Sequence, residues 1–387
     1  MSEAHQKIGS ELHRSAFRWG SVICISMLVA GVAASAMRAT KPPVIPAIAI
    51  PPGQRVSQTR CADCHIDVTD DFALTPHANT LHKAMHPAAM PHFAGQTFRD
   101  EATGNEFRFE VRDGRLFMTS PAYGRDVEID WIFGSGTHAQ TPLLTWPNDN
   151  GALFPVEGVV SWYPGHGLAT TLKRTGDEPA SGIAALGTRH SAPELLACFG
   201  CHSNAVPTNA KNEILFHQLE PNLGCAQCHW NSDVHVRELD EGNTSTIERL
   251  SELTPLESVN RCGRCHRRAN EQDPHAIAAH DESIVRFASV GFVQSPCFLK
   301  QETVQLEGGL PARFDCVTCH DPHRTVPRDW TYYAQTCLKC HDAAQGRAAD
   351  CTAAARTSNC IECHMPKEAT NPYLSFTDHW IRIREKK

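Results

Sequence analysis

Cys198-Phe199-Gly200-Cys201-His202 is one of seven copies of a single pattern, Cys-x-x-Cys-His, in this chain. The others are Cys61-Ala62-Asp63-Cys64-His65, Cys225-Ala226-Gln227-Cys228-His229, Cys262-Gly263-Arg264-Cys265-His266, Cys316-Val317-Thr318-Cys319-His320, Cys337-Leu338-Lys339-Cys340-His341 and Cys360-Ile361-Glu362-Cys363-His364. The spacing has a chemical reason. Two thiols three positions apart lie on one turn, and each can form a thioether to a haem vinyl group. The next residue, His, then lies under the ring and supplies the proximal nitrogen to iron. Zinc sites also use Cys-x-x-Cys pairs, and a lone pair can be a redox dithiol. Neither explains a histidine directly after every pair. Histidine makes up only 22 of 387 residues, so seven of seven is not chance. The pattern implies seven covalently attached c-type haems, with His65, His202, His229, His266, His320, His341 and His364 as proximal ligands.

The motifs use 14 of the 17 cysteines. Cys24 lies in an apolar N-terminal segment and reads as a small hydrophobe. Cys297 and Cys351 can pair as a disulfide in an oxidising compartment, with two separate buried thiols as the alternative.

One motif stands early, and a gap of 137 residues separates its first cysteine from the next copy. Six motifs then crowd between Cys198 and His364, about 28 residues apiece. That is too little chain for separate cores, so the haems must supply much of the hydrophobic interior. Short helices carrying motifs, joined by irregular loops, are expected. The gap reads differently. Glu106 to Val111 alternates, Asp113-Gly114 offers a tight hairpin turn, and Val127, Ile129, Trp131 and Phe133 alternate again. Thr141 to Trp146 and Leu153 to Val160 extend the pattern across Asn148-Asp149-Asn150-Gly151. The fold class expected is therefore mainly α with much irregular loop, organised around a haem chain. A small β-rich insertion follows the first haem. The segments are 1–20 basic N-terminus, 21–37 apolar segment, 38–57 proline-rich linker, 58–94 first haem segment, 95–165 β-rich insertion and 166–387 six-haem domain.

Haem attachment takes place outside the cytoplasm, so an export signal is required. Ala34-Ser35-Ala36 is a small-x-small cleavage pattern, but cleavage there makes an unusually long signal. The stiff spacer Lys41-Pro42-Pro43 to Pro51-Pro52-Gly53 favours an uncleaved anchor with the haem domain on the outer side. Formal charge is −7 with histidine neutral, and no basic block is present, which argues against a nucleic-acid partner.

The second axial ligand of each iron separates electron transfer from catalysis. Fifteen histidines lie outside the motifs, and His5 and His13 precede the apolar segment. The thirteen that remain suffice to close every iron. Local context singles out His323, His379, His235, His77 and His138. His323 stands three residues after His320; sharing that iron is cramped, so it reaches toward a neighbouring haem. His190, His217, His166, His275 and His280 rank lower. His82, His86 and His92, expected in a flexible loop containing Met and Pro, rank lowest.

Four stretches resemble the cytochrome c-554-like multihaem family, which is related to the hydroxylamine oxidoreductase class. They are Thr75-Pro76-His77-Ala78, Gly134-Ser135-Gly136-Thr137-His138-Ala139, Cys319-His320-Asp321-Pro322-His323, and Cys363-His364-Met365-Pro366 with Phe376-Thr377-Asp378-His379. The resemblance covers roughly residues 58–385. It implies closely stacked haem pairs, predominantly bis-His ligation and extracytoplasmic electron transfer, with His77, His235, His323 and His379, and more weakly His138, as distal ligands. No Cys-x-x-Cys-Lys motif is present, and none of the five tyrosines has the context of a haem crosslink. The functional expectation is an electron-transfer cytochrome. It would take electrons from a membrane quinol-oxidising or dehydrogenase complex and pass them to other cytochromes. The alternative is a haem enzyme acting on a small nitrogen or sulfur compound at one five-coordinate iron.

Overall fold

The structure, a computed structural model, describes residues 56–147, 153–172, 182–268, 282–304, 312–341 and 359–384. All seven motifs lie within them. The N-terminal segments up to residue 55, the turn at 148–151, His275, His280 and Cys351 lie outside the described residues, as does any pairing of Cys297 with Cys351.

Eight antiparallel strands form the dominant element. They are β1 (Leu81–Lys83), β2 (Thr97–Arg99), β3 (Glu106–Arg112), β4 (Arg115–Ser120), β5 (Arg125–Phe133), β6 (Thr141–Pro147), β7 (Leu153–Gly158) and, after an intervening hairpin, β10 (Gly187–Arg189). Their order is β10-β7-β6-β5-β4-β3-β2, with β1 also pairing β5. The hairpin is β8 (Val160–Tyr163) with β9 (Gly167–Thr170). Sequence alternation explains the faces. Phe107 and Phe109 point inward and are fully buried, while Arg108 and Glu110 face solvent. Asp113 and Gly114 join β3 to β4 with φ of 51° and 71°, the two positive values a type I′ turn needs.

The sheet has a core on each face. One is built from Phe93, Phe107, Phe109, Leu116, Met118, Ile129, Ile132, Leu144 and Leu186, among others. The other joins Leu81, Trp131 and Leu143 to Leu195 and Phe199 of the helix Ala192–His202, and to Leu219. Phe199 is the first free position of the second motif, and its ring packs at 5.0 Å from Phe133 and 6.4 Å from Trp131. Burying a side chain of this kind contributes about 1.5–3 kcal/mol. The second motif is thus fixed to the sheet by its own sequence.

The rest of the chain is built of short pieces. Helices Ser232–Asp240, Pro255–His266, Glu282–Val285, Ala288–Phe292, Pro296–Leu299, Trp330–His341 and Cys360–His364 alternate with loops. A hairpin of β13 (Lys367–Asn371) with β14 (Leu374–Thr377) follows the last motif, and its Leu374 packs on Tyr163 and Ala169 of β8–β9. A second short pair, β11 (Ser203–Ala205) with β12 (Glu220–Pro221), lies between the second and third motifs. Apolar side chains in the motif-bearing segments are often turned outward: Ile66 is 58% exposed, Leu74 76% and Leu338 43%.

The architecture is a mix of helices and antiparallel sheet, not mainly α. The sheet is also larger than an insertion over 95–165, since β1 comes from before that stretch and β10 from after it. The reason is physical. Three-residue strands such as Leu81-His82-Lys83 show no alternation of their own and are strands only because β5 pairs with them.

Candidate haem centres

Each motif closes on one helical turn. The second, fourth and sixth end the helices Ala192–His202, Pro255–His266 and Trp330–His341, and the seventh is the helix Cys360–His364. In the first, third and fifth, the histidine N–H donates to the carbonyl of the leading cysteine: His65 to Cys61 and His229 to Cys225 at 2.9 Å, His320 to Cys316 at 3.0 Å. An i to i+4 bond puts the first thiol and the imidazole on one face, with the second thiol beside them at i+3. Local caps fix these turns. Thr254 and Glu257 form a capping box before the fourth motif, Asp315 and Thr318 one at the fifth, and the Asn359 side chain accepts from Ile361 N–H and Glu362 N–H at the seventh.

Thiols of different motifs are near enough to shift one another's titration: Cys61 with Cys225, Cys201 with Cys265 and Cys262 with Cys316. The Cys201 thiol also donates to Arg264 O at 3.9 Å, so the second and fourth motifs touch. As free thiols, Cys198 and Cys228 are pushed up to about 11 and Cys337 to about 12, in each case first by burial.

Five of the imidazoles are held by their Nδ1 atoms, whereas the Nδ1 of His235 is buried without a partner among the described residues. His202 Nδ1–H donates to Thr80 O at 2.9 Å, His229 to Glu248 O at 2.8 Å, His364 to Arg382 O at 3.1 Å and His379 to Thr377 O at 2.9 Å. His323 Nδ1 stands 3.1 Å from an Asp321 carboxylate oxygen. A carbonyl can only accept, so Nδ1 carries the proton and Nε2 keeps its lone pair. That is the arrangement a metal-binding imidazole requires. Burial keeps the rings neutral: His77, His202 and His379 are lowered by desolvation. His266 and His320 fall to about 4, by burial first and neighbouring imidazoles second.

Four of these rings face a second imidazole from a distant segment. Ring centroids are 6.5 Å apart for His65 and His235, 6.1 Å for His266 and His77, 6.0 Å for His229 and His323, and 6.2 Å for His320 and His379. An imidazole nitrogen lies about 2 Å from a metal it binds and the ring centre about 1 Å further, so two imidazoles on opposite sides of one iron stand roughly 6 Å apart, centre to centre. The residues present therefore fit a bis-imidazole haem at four motifs. Among the described residues, no three His, Cys, Asp or Glu side chains converge as they would around a bare metal ion.

The remaining candidates sit elsewhere. The His138 ring packs on Phe376 at 5.0 Å, and burial lowers its pKa. Among the described residues no imidazole faces His138, His202, His341 or His364 at the 6 Å spacing. His82 is a buried residue of β1 whose ring stacks on His86 at 4.5 Å, so it is not part of a loop. His92 stacks on Trp162 at 3.7 Å, and His190 bonds Glu157 at 2.8 Å. Sequence reasoning missed the Thr80 carbonyl that orients His202 and the side chain of Gln227, which joins three motifs. Neither carries a local signal, because a carbonyl has no residue preference and Gln227 occupies a variable motif position.

No protein family matches the chain, and no curated protein does. Two solved structures do. The crystal structure of the outer cell wall cytochrome OcwA is 14% identical, covers 85% of this chain and 80% of its own, and has a TM-score of 0.50. The undecahaem cytochrome from the S-layer of Carboxydothermus ferrireducens is 13% identical, with 87% of this chain and 53% of its own covered and a TM-score of 0.38. The first likeness shows that the chain has the fold of a multihaem cytochrome. It reaches that class and does not single out the cytochrome c-554-like branch. Among the described residues no helix is long and apolar enough to cross a membrane, and segment 21–37 lies outside them.

Proposed function

We propose that this protein is a seven-haem c-type cytochrome that passes electrons on the extracytoplasmic side of a membrane. The observation that carries the reading is the set of four imidazole pairs, each joining a motif histidine to a histidine from another segment at 6.0–6.5 Å. Fourteen motif cysteines would hold the haems through thioethers, and the seven motif histidines would bind iron. His235 with His65, His323 with His229, His77 with His266 and His379 with His320 would supply the imidazoles at four of them. His138 remains a distal candidate for one of the other three. Haem supplies reversible one-electron chemistry at potentials the protein tunes.

The chain's own residues do the rest. Nδ1 bonds to backbone carbonyls orient His202, His229, His364 and His379, and burial favours the neutral form of His77, His202, His266, His320 and His379. Ligands are exchanged between motifs: His235 follows the third motif but faces the first, and His323 follows the fifth but faces the third. Such crossing keeps neighbouring centres close, which electron hopping needs. Two further elements belong to the proposal. Segment 21–37 anchors the chain, and the partners are a membrane quinol-oxidising or dehydrogenase complex and other cytochromes. The multihaem fold supports an extracytoplasmic location. Intact mass and pyridine haemochrome assay of the purified protein test the reading, with seven haem additions expected. A protein carrying free thiols or zinc would overturn it. A ferric spectrum that shifts on adding nitrite or hydroxylamine would favour the enzyme alternative.

A further inference from the structure

Gln227 sits where three motifs meet. It is the second free position of the third motif and is 9% exposed. Its amide nitrogen donates to Ser203 O at 3.1 Å and Asn204 O at 2.6 Å, the two residues after His202. Its amide oxygen accepts from Arg264 Nη2, and Arg264 is the second free position of the fourth motif. The Arg264 carbonyl accepts in turn from the Cys201 thiol at 3.9 Å. One glutamine thus ties motifs two, three and four, and one half-buried guanidinium lies in the knot.

Among the described residues, no ion pair joins that guanidinium to a carboxylate. Arg264 Nη1 is buried without a hydrogen-bond partner among the described residues. The nearby carboxylates are committed elsewhere: Glu248 lies 2.7 Å from Arg261, and Glu257 accepts from Thr254 N and Oγ1 at 2.9 and 2.7 Å. Arg261 and Arg268 line the same cavity, so positive charge is in excess there.

We propose that Arg264, held by Gln227, raises the potential of the haem junction where motifs two, three and four meet, and makes that junction the point at which electrons collect. The inference rests on the haem reading above. A fixed cation close to an iron favours its reduced form, which is one positive charge poorer than the oxidised form. The step is the transfer of one electron from a redox partner into the junction and onward. No bond breaks and no proton moves.

The test is a potentiometric titration of the full-length holoprotein, followed by visible absorbance, with haem content measured by intact mass. Arg264→Gln and Arg264→Met each remove the charge, and Arg264→Lys keeps it. The first two are expected to retain seven haems and to lower the highest-potential part of the curve by about tenfold in the one-electron equilibrium constant, about 59 mV. Arg264→Lys is expected to follow the wild type. An unchanged curve in Arg264→Gln with full haem content overturns the proposal. Haem loss in both charge-removing variants assigns the pair to folding and overturns it as well. A wild-type protein without haem defeats the underlying reading, and the proposal with it.

Discussion

The sheet from Leu81 to Arg189 and the motif-bearing segments after Leu219 are stabilised in different ways. The sheet buries a double set of large side chains, among them Phe93, Phe107, Phe109, Met118 and Trp131. After Leu219 the described buried apolar residues are few and mostly small or branched: Ala226, Val259, Ile284, Val285, Val290, Phe292, Ala334 and Leu374. Meanwhile Leu239, Leu256, Leu299, Val326 and Trp330 stand exposed. A sheet with two filled faces carries its own hydrophobic stabilisation, whereas short helices with outward apolar groups need another apolar body to pack on. The sheet is a protein core, and the motif region is a shell for its cofactors.

The strongest way to break that comparison is to withhold haem. Expressed where no haem is attached, the chain is expected to keep the sheet and lose the rest. Limited proteolysis should then degrade the segments after Leu219 and leave a resistant fragment containing β1 to β10. A uniformly resistant chain would mean that the motif region packs unaided. Next in size is the seam between the regions. Phe199→Ala empties the contact between the second motif and the sheet, and a loss of about 3–5 kcal/mol is expected by chemical denaturation of the holoprotein. A loss well below 1 kcal/mol would mean that Phe199 does not anchor the motif.

Smaller effects sharpen the account of the sheet. Gly114 has φ +71° and open space around it, so Gly114→Ala meets only backbone strain, roughly 1–2 kcal/mol. A neutral result would argue against the two-residue turn between β3 and β4. The smallest effect concerns His190, whose pKa is raised first by its hydrogen bond to Glu157. A raised pKa means the pair stabilises fully below the unfolded value of about 6.5, and that this contribution fades as pH rises through the folded value. With Glu157 partly exposed, the term is small. His190→Gln is expected to flatten stability against pH above about 6.5, and an unchanged slope would count against the pair.

Much of the site could be read from local spacing. Thiols and proximal imidazoles are set within five residues, and one helical turn is enough to place them. The alternation around Phe107 and Phe109 and the turn at Asp113-Gly114 are equally local. The extent of the sheet was not readable, because β1 and β10 depend on partners far along the chain. Which imidazole faces which was also hidden. His235 lies 170 residues from His65, and His77 lies 189 from His266, so their meeting is a property of packing. The knot at Gln227 was invisible for the same reason.

The central claim is that motif histidines are paired with histidines from other segments, and EPR spin quantitation of the ferric protein before and after His323→Ala tests it most directly. The account predicts that one low-spin centre, the one at His229, becomes high-spin while the other centres are unchanged. A spectrum that His323→Ala leaves untouched would contradict it.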